Sequence, residues 1–143
     1  MIEKFEHHGK LLAIIIRANF KRDGIEFFTP DDFSQQLAYM NRPQGYIIDP
    51  HVHNLVSREV SLTQEVLFIK SGSVRVDFYD DNKIYLESNT VNTGDVILLA
   101  AGGHGFEMLL PSEMIEVKQG PYCGDADKVR FQPIISEQIT LKQ

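Results

Sequence analysis

Short runs of apolar residues, each closed by turn-forming residues, follow one another along the chain. In residues 74–79, Val74, Val76 and Phe78 alternate with Arg75, Asp77 and Tyr79. Such alternation turns one set of side chains toward a core and the other toward solvent, which is typical of a β-strand. About nine or ten strands are predicted in this way. They cover residues 11–19, 25–29, 36–40, 45–53, 65–70, 74–79, 84–86, 95–100, 106–110 and 114–118.

The spacing of these runs predicts an all-β fold. No segment sustains the three-four spacing of apolar residues that predicts a helix, and many short strands with close turns are typical of a β-sandwich or β-barrel. We expect residues 1–10, which are polar and mixed in charge, to form an exposed terminus. Residues 120–143 mix glycine, proline and charge and predict an irregular tail that packs over the body. The 143 residues suit a single domain.

Composition narrows the classes of partner. The formal net charge is −6 and no basic stripe is visible, so nucleic acid is not an expected partner. The single cysteine, Cys123, excludes a disulfide within the chain and favours a reducing compartment. Residues 11–16, the longest early apolar run, are too short to span a membrane. We therefore expect a cytoplasmic protein with a small-molecule ligand and no membrane partner.

The same run, residues 11–16, bears on assembly. It is apolar at every position, so a strand formed from it is apolar on both faces. A strand at the surface cannot hide two apolar faces, and one of them would meet another protein surface. This predicts a homodimer.

The first candidate metal ligands in the sequence are His51 and His53. On an extended segment, side chains two residues apart share a face, and two imidazoles on one face are the start of a metal site. A third histidine, His104, lies in a glycine-rich context. Two residues are candidates for the carboxylate ligand: Glu59, which is nearer the histidine pair, and Glu65. The register favours Glu65, because it shares an alternating face with the apolar residues of the strand that follows.

Two stretches of the sequence resemble the two motifs of the cupin superfamily. In the first, Gly45 is followed by five residues and then by His51-Val52-His53, and Glu65 is followed by six residues and then by Gly72. The second motif resembles residues 94–104, which end at His104, with a gap from Gly102 to His104 that is one residue shorter than in the motif. In cupins the two histidines, the glutamate and the later histidine hold one divalent metal inside a small jelly-roll barrel. The resemblance therefore implies a cupin-like jelly-roll β-barrel with a metal bound by His51, His53, Glu65 and His104.

The chain departs from the cupin pattern at several positions. Eleven residues separate His53 from Glu65, where three or four are usual, and an added loop over residues 54–63 absorbs the difference. Ala100 stands in place of a usual proline, and Met108 in place of the second motif's asparagine. The resemblance covers residues 45–108, which is under half of the chain.

Three imidazoles and one carboxylate suit Fe(II), Mn(II), Ni(II) or Zn(II). A metal held by four protein ligands keeps one or two positions open, where it can bind a substrate oxygen or dioxygen or activate water. We expect a small-molecule enzyme, either an isomerase or epimerase of a sugar or polyol, or an oxygenase, without assigning a catalytic residue. The alternatives are a non-catalytic module that binds or senses a small ligand, and a metal that only braces the barrel.

Overall fold

A computed structural model describes residues 1–142, and it confirms the predicted all-β class. In this part of the chain no α-helix occurs, and the helical turns are two short 3₁₀ helices, Gly124–Asp127 and Ser136–Gln138. The strands are β1 Ile2–His7, β2 Lys10–Ile16, β3 Gly24–Phe27, β4 Ala38–Asn41, β5 Glu65–Ser71, β6 Ser73–Tyr79, β7 Tyr85–Asn92, β8 Val96–Leu99, β9 Gly103–Met108 and β10 Glu113–Lys118.

The strands form three antiparallel sheets. The five-stranded sheet has the order β1-β2-β8-β5-β10, the three-stranded sheet has the order β7-β6-β9, and β3 pairs with β4. The chain divides into two compact units. Lys21–Ser61, which contains β3 and β4, forms one of them, and Met1–Phe20 with the chain from Leu62 onward forms the other. No helical segment within residues 1–142 has the length and apolar character that crossing a membrane requires.

One hydrophobic core joins the five-stranded and three-stranded sheets. Phe5 of β1 stacks on Phe78 of β6 with their ring centroids 4.7 Å apart, which is within the range that stabilises aromatic pairs. The alternation seen in the sequence decides which side chains enter this core, since inward positions recur every second residue. The core residues are Phe5, Ala13, Ile15, Leu67, Ile69, Val74, Val76, Phe78, Val91, Ile97 and Leu99.

The amino terminus is part of the sheet, so the prediction of an exposed terminus was wrong. Ile2–His7 pairs with β2, and Phe5 is buried in the core. The turn between the strands places His8 and Gly9 at φ of 49° and 75°, the paired left-handed conformation of a tight hairpin. The misleading feature is a bulge between Phe5 and Glu6, which breaks the alternation that identifies a strand.

Strand β2 is buried on both faces within the single chain. Ala13 and Ile15 belong to the core, and Ile14 on the opposite face is also fully buried. The apolar pattern of residues 11–16 was therefore recognised correctly. Its outer face needs no second subunit to cover it, so the reason for expecting a homodimer on this strand is removed.

Two predicted elements depart most clearly from the structure. Residues 45–53 form no strand, and no strand lies between Asn41 and Glu65. Pro50 has no backbone N–H to donate to a neighbouring strand, which disfavours a strand here. The apolar residues of this segment lie in solvent, and Val52 is 90% exposed. In contrast, β7 continues to Asn92, well beyond the predicted strand over residues 84–86.

The tail lies against the outer face of the three-stranded sheet. The hydroxyl of Tyr79 accepts a hydrogen bond of 2.9 Å from the backbone N–H of Ile134, and the ring of Phe131 meets the Tyr79 ring edge-on. Further on, the backbone N–H of Ser88 donates to the carbonyl of Thr140 over 2.8 Å. These contacts bury Tyr79 and Ser88 on the face of the sheet that points away from the core.

Candidate functional site

The fold brings Glu65 and His104 together. Glu65 is the first residue of β5 in the five-stranded sheet, and His104 is the second residue of β9 in the three-stranded sheet. Atom Nε2 of His104 lies 3.2 Å from a carboxylate oxygen of Glu65, which is hydrogen-bonding distance. Two of the four residues predicted as metal ligands, far apart in sequence, therefore meet where the two sheets approach each other.

Strand register positions both side chains. Glu65 lies opposite Leu99 of β8, and it is buried on the same alternating face as Leu67. His104 lies opposite Phe78 of β6. Each side chain is therefore placed by a ladder of backbone hydrogen bonds whose other rungs hold core residues.

The glycines before His104 have a steric role. Gly102 has φ of 71°, and a Cβ atom at this position would lie 2.5 Å from the carbonyl oxygen of Tyr79. Only glycine adopts this backbone conformation and this close approach without strain. The tight turn leads directly into β9, so Gly102 helps to fix the position at which His104 enters the sheet.

The electrostatic environment keeps Glu65 ionised. The hydrogen bond from His104 lowers the pKa of Glu65 below its ordinary value, and its positive neighbours Lys118 and Lys128 lower it further, against the opposing effect of burial. Glu65 is only 8% exposed. A buried carboxylate that remains charged at neutral pH is available as an acceptor for a proton or a cation.

The geometry of this pair fits adjacent ligands of a metal ion. Metal bonds to imidazole nitrogen and carboxylate oxygen are ~2.0–2.2 Å long, so two such donors at right angles lie ~3 Å apart. The donor atoms of Glu65 and His104 are 3.2 Å apart. Both residue types are ligands for the divalent metals expected from the sequence.

The other two predicted ligands lie in the unit Lys21–Ser61. The ring centroids of His51 and His53 are 5.3 Å apart, and Nδ1 of His51 is 2.9 Å from the carbonyl oxygen of Asp49. Both histidines are exposed, as is Glu59. Across residues 1–142, no group of three or more His, Cys, Asp or Glu side chains is arranged to hold a metal ion. The structure thus presents two pairs, Glu65 with His104 and His51 with His53.

A cavity of about 270 Å³ opens in the larger unit, and sequence reasoning did not find it. None of the four predicted metal ligands lines it. Its lining comes from β1, β2, β6 and β7 and consists of Phe5, Glu6, His7, Leu12, Phe78, Tyr85, Leu86 and Glu87. The sequence analysis could not predict this cavity, because it assigned residues 1–10, which supply part of the lining, to an exposed terminus.

A partly buried polar network around Arg17 was also missed. The guanidinium donates to the carboxylates of Glu3 and Asp95 over 2.6 and 2.9 Å, to the side-chain oxygen of Asn89 and to the carbonyl of Thr90. The side chain of Asp95 is only 6% exposed. The network ties β1, the end of β2, β7 and the turn before β8 together, and its role is structural.

No protein-family model, curated protein or solved structure matches this chain. The resemblance to cupins therefore depends on the residues of its two motifs. Glu65 comes from the first motif and His104 from the second, and the two are joined by a hydrogen bond of 3.2 Å.

Proposed function

We propose that this protein is a metal-binding, cupin-like protein in which His51, His53, Glu65 and His104 hold one divalent metal ion. The observation that carries the proposal is the 3.2 Å contact between Glu65 and His104. The motif resemblance and the strand register named these two residues from the sequence, and they come from different sheets. The hydrogen bond gives their donor atoms the separation of neighbouring metal ligands.

The proposed chemistry is that of a small-molecule enzyme. A bound Fe, Mn, Ni or Zn ion would supply a Lewis acid with open positions for a substrate oxygen. Glu65 contributes a charged carboxylate, and Lys118 and Lys128 add positive potential around it. This environment suits a small, oxygen-rich substrate, and the reaction class we propose is isomerisation or epimerisation of a sugar or polyol, or oxygenation.

A second candidate is a non-catalytic module that binds a small ligand. It is favoured by the cavity of about 270 Å³, since this space is lined without any of the four predicted metal ligands. A ligand could be held there with no contact to the metal. Turnover of a sugar or polyol substrate that is lost on substituting His104 would favour the enzyme over this alternative.

We also propose a jelly-roll arrangement of the sheets and a homodimer. The topology is supported by two antiparallel sheets that share one core. The homodimer is supported by the resemblance to cupins alone, since β2 no longer argues for it. Light scattering at micromolar concentration tests the dimer, and a monomer mass would contradict it.

Metal content tests the proposed site. The protein is purified without chelator from cells grown with ample metals, and bound metal is measured by mass spectrometry. We expect about one equivalent in the wild type and loss of most of it in Glu65→Gln, in His104→Ala and in His51→Ala, because each removes one of four ligands. Glu59→Gln is the matched control and should retain its metal. Circular dichroism shows that each variant is folded.

Two outcomes would change the proposal. Wild-type protein without metal under these conditions would refute it. Loss of metal from Glu59→Gln but not from Glu65→Gln would move the carboxylate ligand to Glu59. Metal affinity should also fall as the pH drops below about 6.5, since protonated imidazole does not bind metal.

A further inference from the structure

The cavity between β1, β2, β6 and β7 combines an apolar interior with a negatively charged rim. Phe5, Leu12 and Phe78 are each no more than 5% exposed and supply apolar walls. Glu6 and Glu87 supply two carboxylates and His7 an imidazole, and no lysine or arginine is among the lining residues. An apolar pocket with a few convergent polar groups is the usual form of a small-ligand site.

The carboxylates are available to a ligand to different degrees. Within residues 1–142, the side chain of Glu6 has no hydrogen bond and no ion pair. Glu87 has one distant partner, the ammonium group of Lys142 at 3.8 Å. In contrast, the hydroxyl of Tyr85 is engaged with Ser88 and with the backbone of Thr140, so Tyr85 offers the cavity its ring.

A cation from the chain itself already contacts two of the lining residues. The Lys142 ammonium lies 4.4 Å from the ring centroid of Phe5, within cation–π distance, while it pairs with Glu87. Carboxylate and aromatic face therefore recognise an organic ammonium group in this structure. This ammonium group belongs to the tail, whose last described residues pair with β7 at Ser88.

We propose that this cavity binds a small organic ammonium ion with a short apolar or aromatic body. The ammonium group pairs with Glu6 and Glu87, and the body lies against Phe5, Leu12 and Phe78. The volume of about 270 Å³ lies just below the range of drug-sized pockets, which limits the ligand to a small amine. Lys142 competes with the ligand for Glu87 and for the Phe5 ring. The site is independent of the proposed metal.

The test is a titration of the full chain with benzylamine, followed through backbone amide chemical shifts near neutral pH. We expect saturable shifts at cavity residues. Benzyl alcohol has the same body without the charge, and it should bind at least about tenfold more weakly. Benzoate, with the opposite charge, should not bind. Equal affinity for benzylamine and benzyl alcohol, or shifts confined to residues outside the cavity, would overturn the proposal.

Three substitutions locate the charge recognition. Glu6→Gln and Glu87→Gln keep the side-chain shape and should each weaken benzylamine binding about fivefold. Lys142→Ala removes the competitor and should tighten binding about threefold. The matched control is Glu113→Gln on β10, a strand that contributes nothing to the cavity, and it should leave the affinity unchanged. An equal loss in Glu113→Gln, or no gain in Lys142→Ala, would contradict the assignment.

The variant His104→Ala separates this proposal from the metal proposal. It should bind benzylamine as the wild type does, whether or not it retains metal. Loss of benzylamine binding in this folded variant would mean that the ligand occupies the metal region and not the cavity.

Discussion

The two pairs of predicted metal ligands lie in very different surroundings. Glu65 is on β5, which is hydrogen-bonded to β8 and β10, and His104 is on β9, an edge strand that is hydrogen-bonded to β6. Both residues lie opposite core residues, Leu99 and Phe78. His51 and His53 are in a segment without strand structure, where every residue from 40 to 62 is exposed. The motif resemblance named both pairs, with strand register favouring Glu65 over Glu59. A backbone ladder with a core behind it gives the first pair a defined geometry, and the second pair lacks one.

Limited proteolysis should show the largest difference between these regions. Arg58 is exposed and lies outside any strand, so trypsin should reach its peptide bond with little local opening. Lys70 is also exposed, but it lies in β5 between β8 and β10. Cleavage there requires disruption of the sheet, and we expect it to be at least about a hundredfold slower. Fragments that end at Arg58, identified by mass spectrometry, should therefore appear well before fragments that end at Lys70.

The variant Arg58→Gln is the control for this digestion. It should remove the fragments that end at Arg58 and leave cleavage at Lys70 unchanged. Early cleavage after Lys70 in the wild type would show that the five-stranded sheet opens as easily as the segment around Arg58, and the contrast between the regions would fail.

Truncation of apolar side chains should separate the regions by stability. Phe78 is buried and stacked on Phe5, so Phe78→Ala leaves a cavity and should lower the free energy of unfolding by about 3–5 kcal/mol. Leu55 is fully exposed, and Leu55→Ala should change it by less than about 0.5 kcal/mol. Urea denaturation measures both. A loss in Leu55→Ala comparable to that in Phe78→Ala would show that the segment around residue 55 is packed in solution.

The polar network of the larger unit should contribute a smaller effect. Arg17→Met removes the guanidinium and leaves the nearly buried carboxylate of Asp95 without its cation. Because Arg17 is partly exposed, we expect a loss of about 2 kcal/mol in the free energy of unfolding. Arg22→Met is the matched control, since Arg22 forms an exposed ion pair with Glu26. It should cost less than about 0.5 kcal/mol, and an equal cost would argue against a special role for Arg17.

The smallest effect concerns pH. The hydrogen bond from Arg17 lowers the pKa of Glu3 in the folded protein, with Asn89 and Lys142 adding to the effect against burial. A lowered pKa means that the stabilisation is present above the unfolded value of ~4.3 and is lost as the pH falls through the folded value. The wild type should therefore lose more stability than Glu3→Gln between pH 6 and pH 3, by about 0.5 kcal/mol. Parallel pH profiles from urea denaturation would contradict this.

The sequence predicted well wherever one face of a strand is buried. The alternation at Val74, Val76 and Phe78 identified β6, and the shared face of Glu65 and Leu67 identified the register of β5. Prediction failed where that rule does not apply. The bulge between Phe5 and Glu6 interrupts the alternation in β1, so this strand was not predicted. Residues 45–53 have a strand-like sequence but pair with no other strand.

By itself, the sequence determined the all-β class, most of the strands and the candidate ligands, because period-two alternation and motif spacing are local properties of the chain. Only the tertiary structure decided which residues meet. Glu65 reaches His104, and Glu6 reaches the same cavity as Glu87, through the pairing of strands distant in sequence. Strand order depends on how all the apolar faces are buried together, and no single stretch of sequence specifies that arrangement.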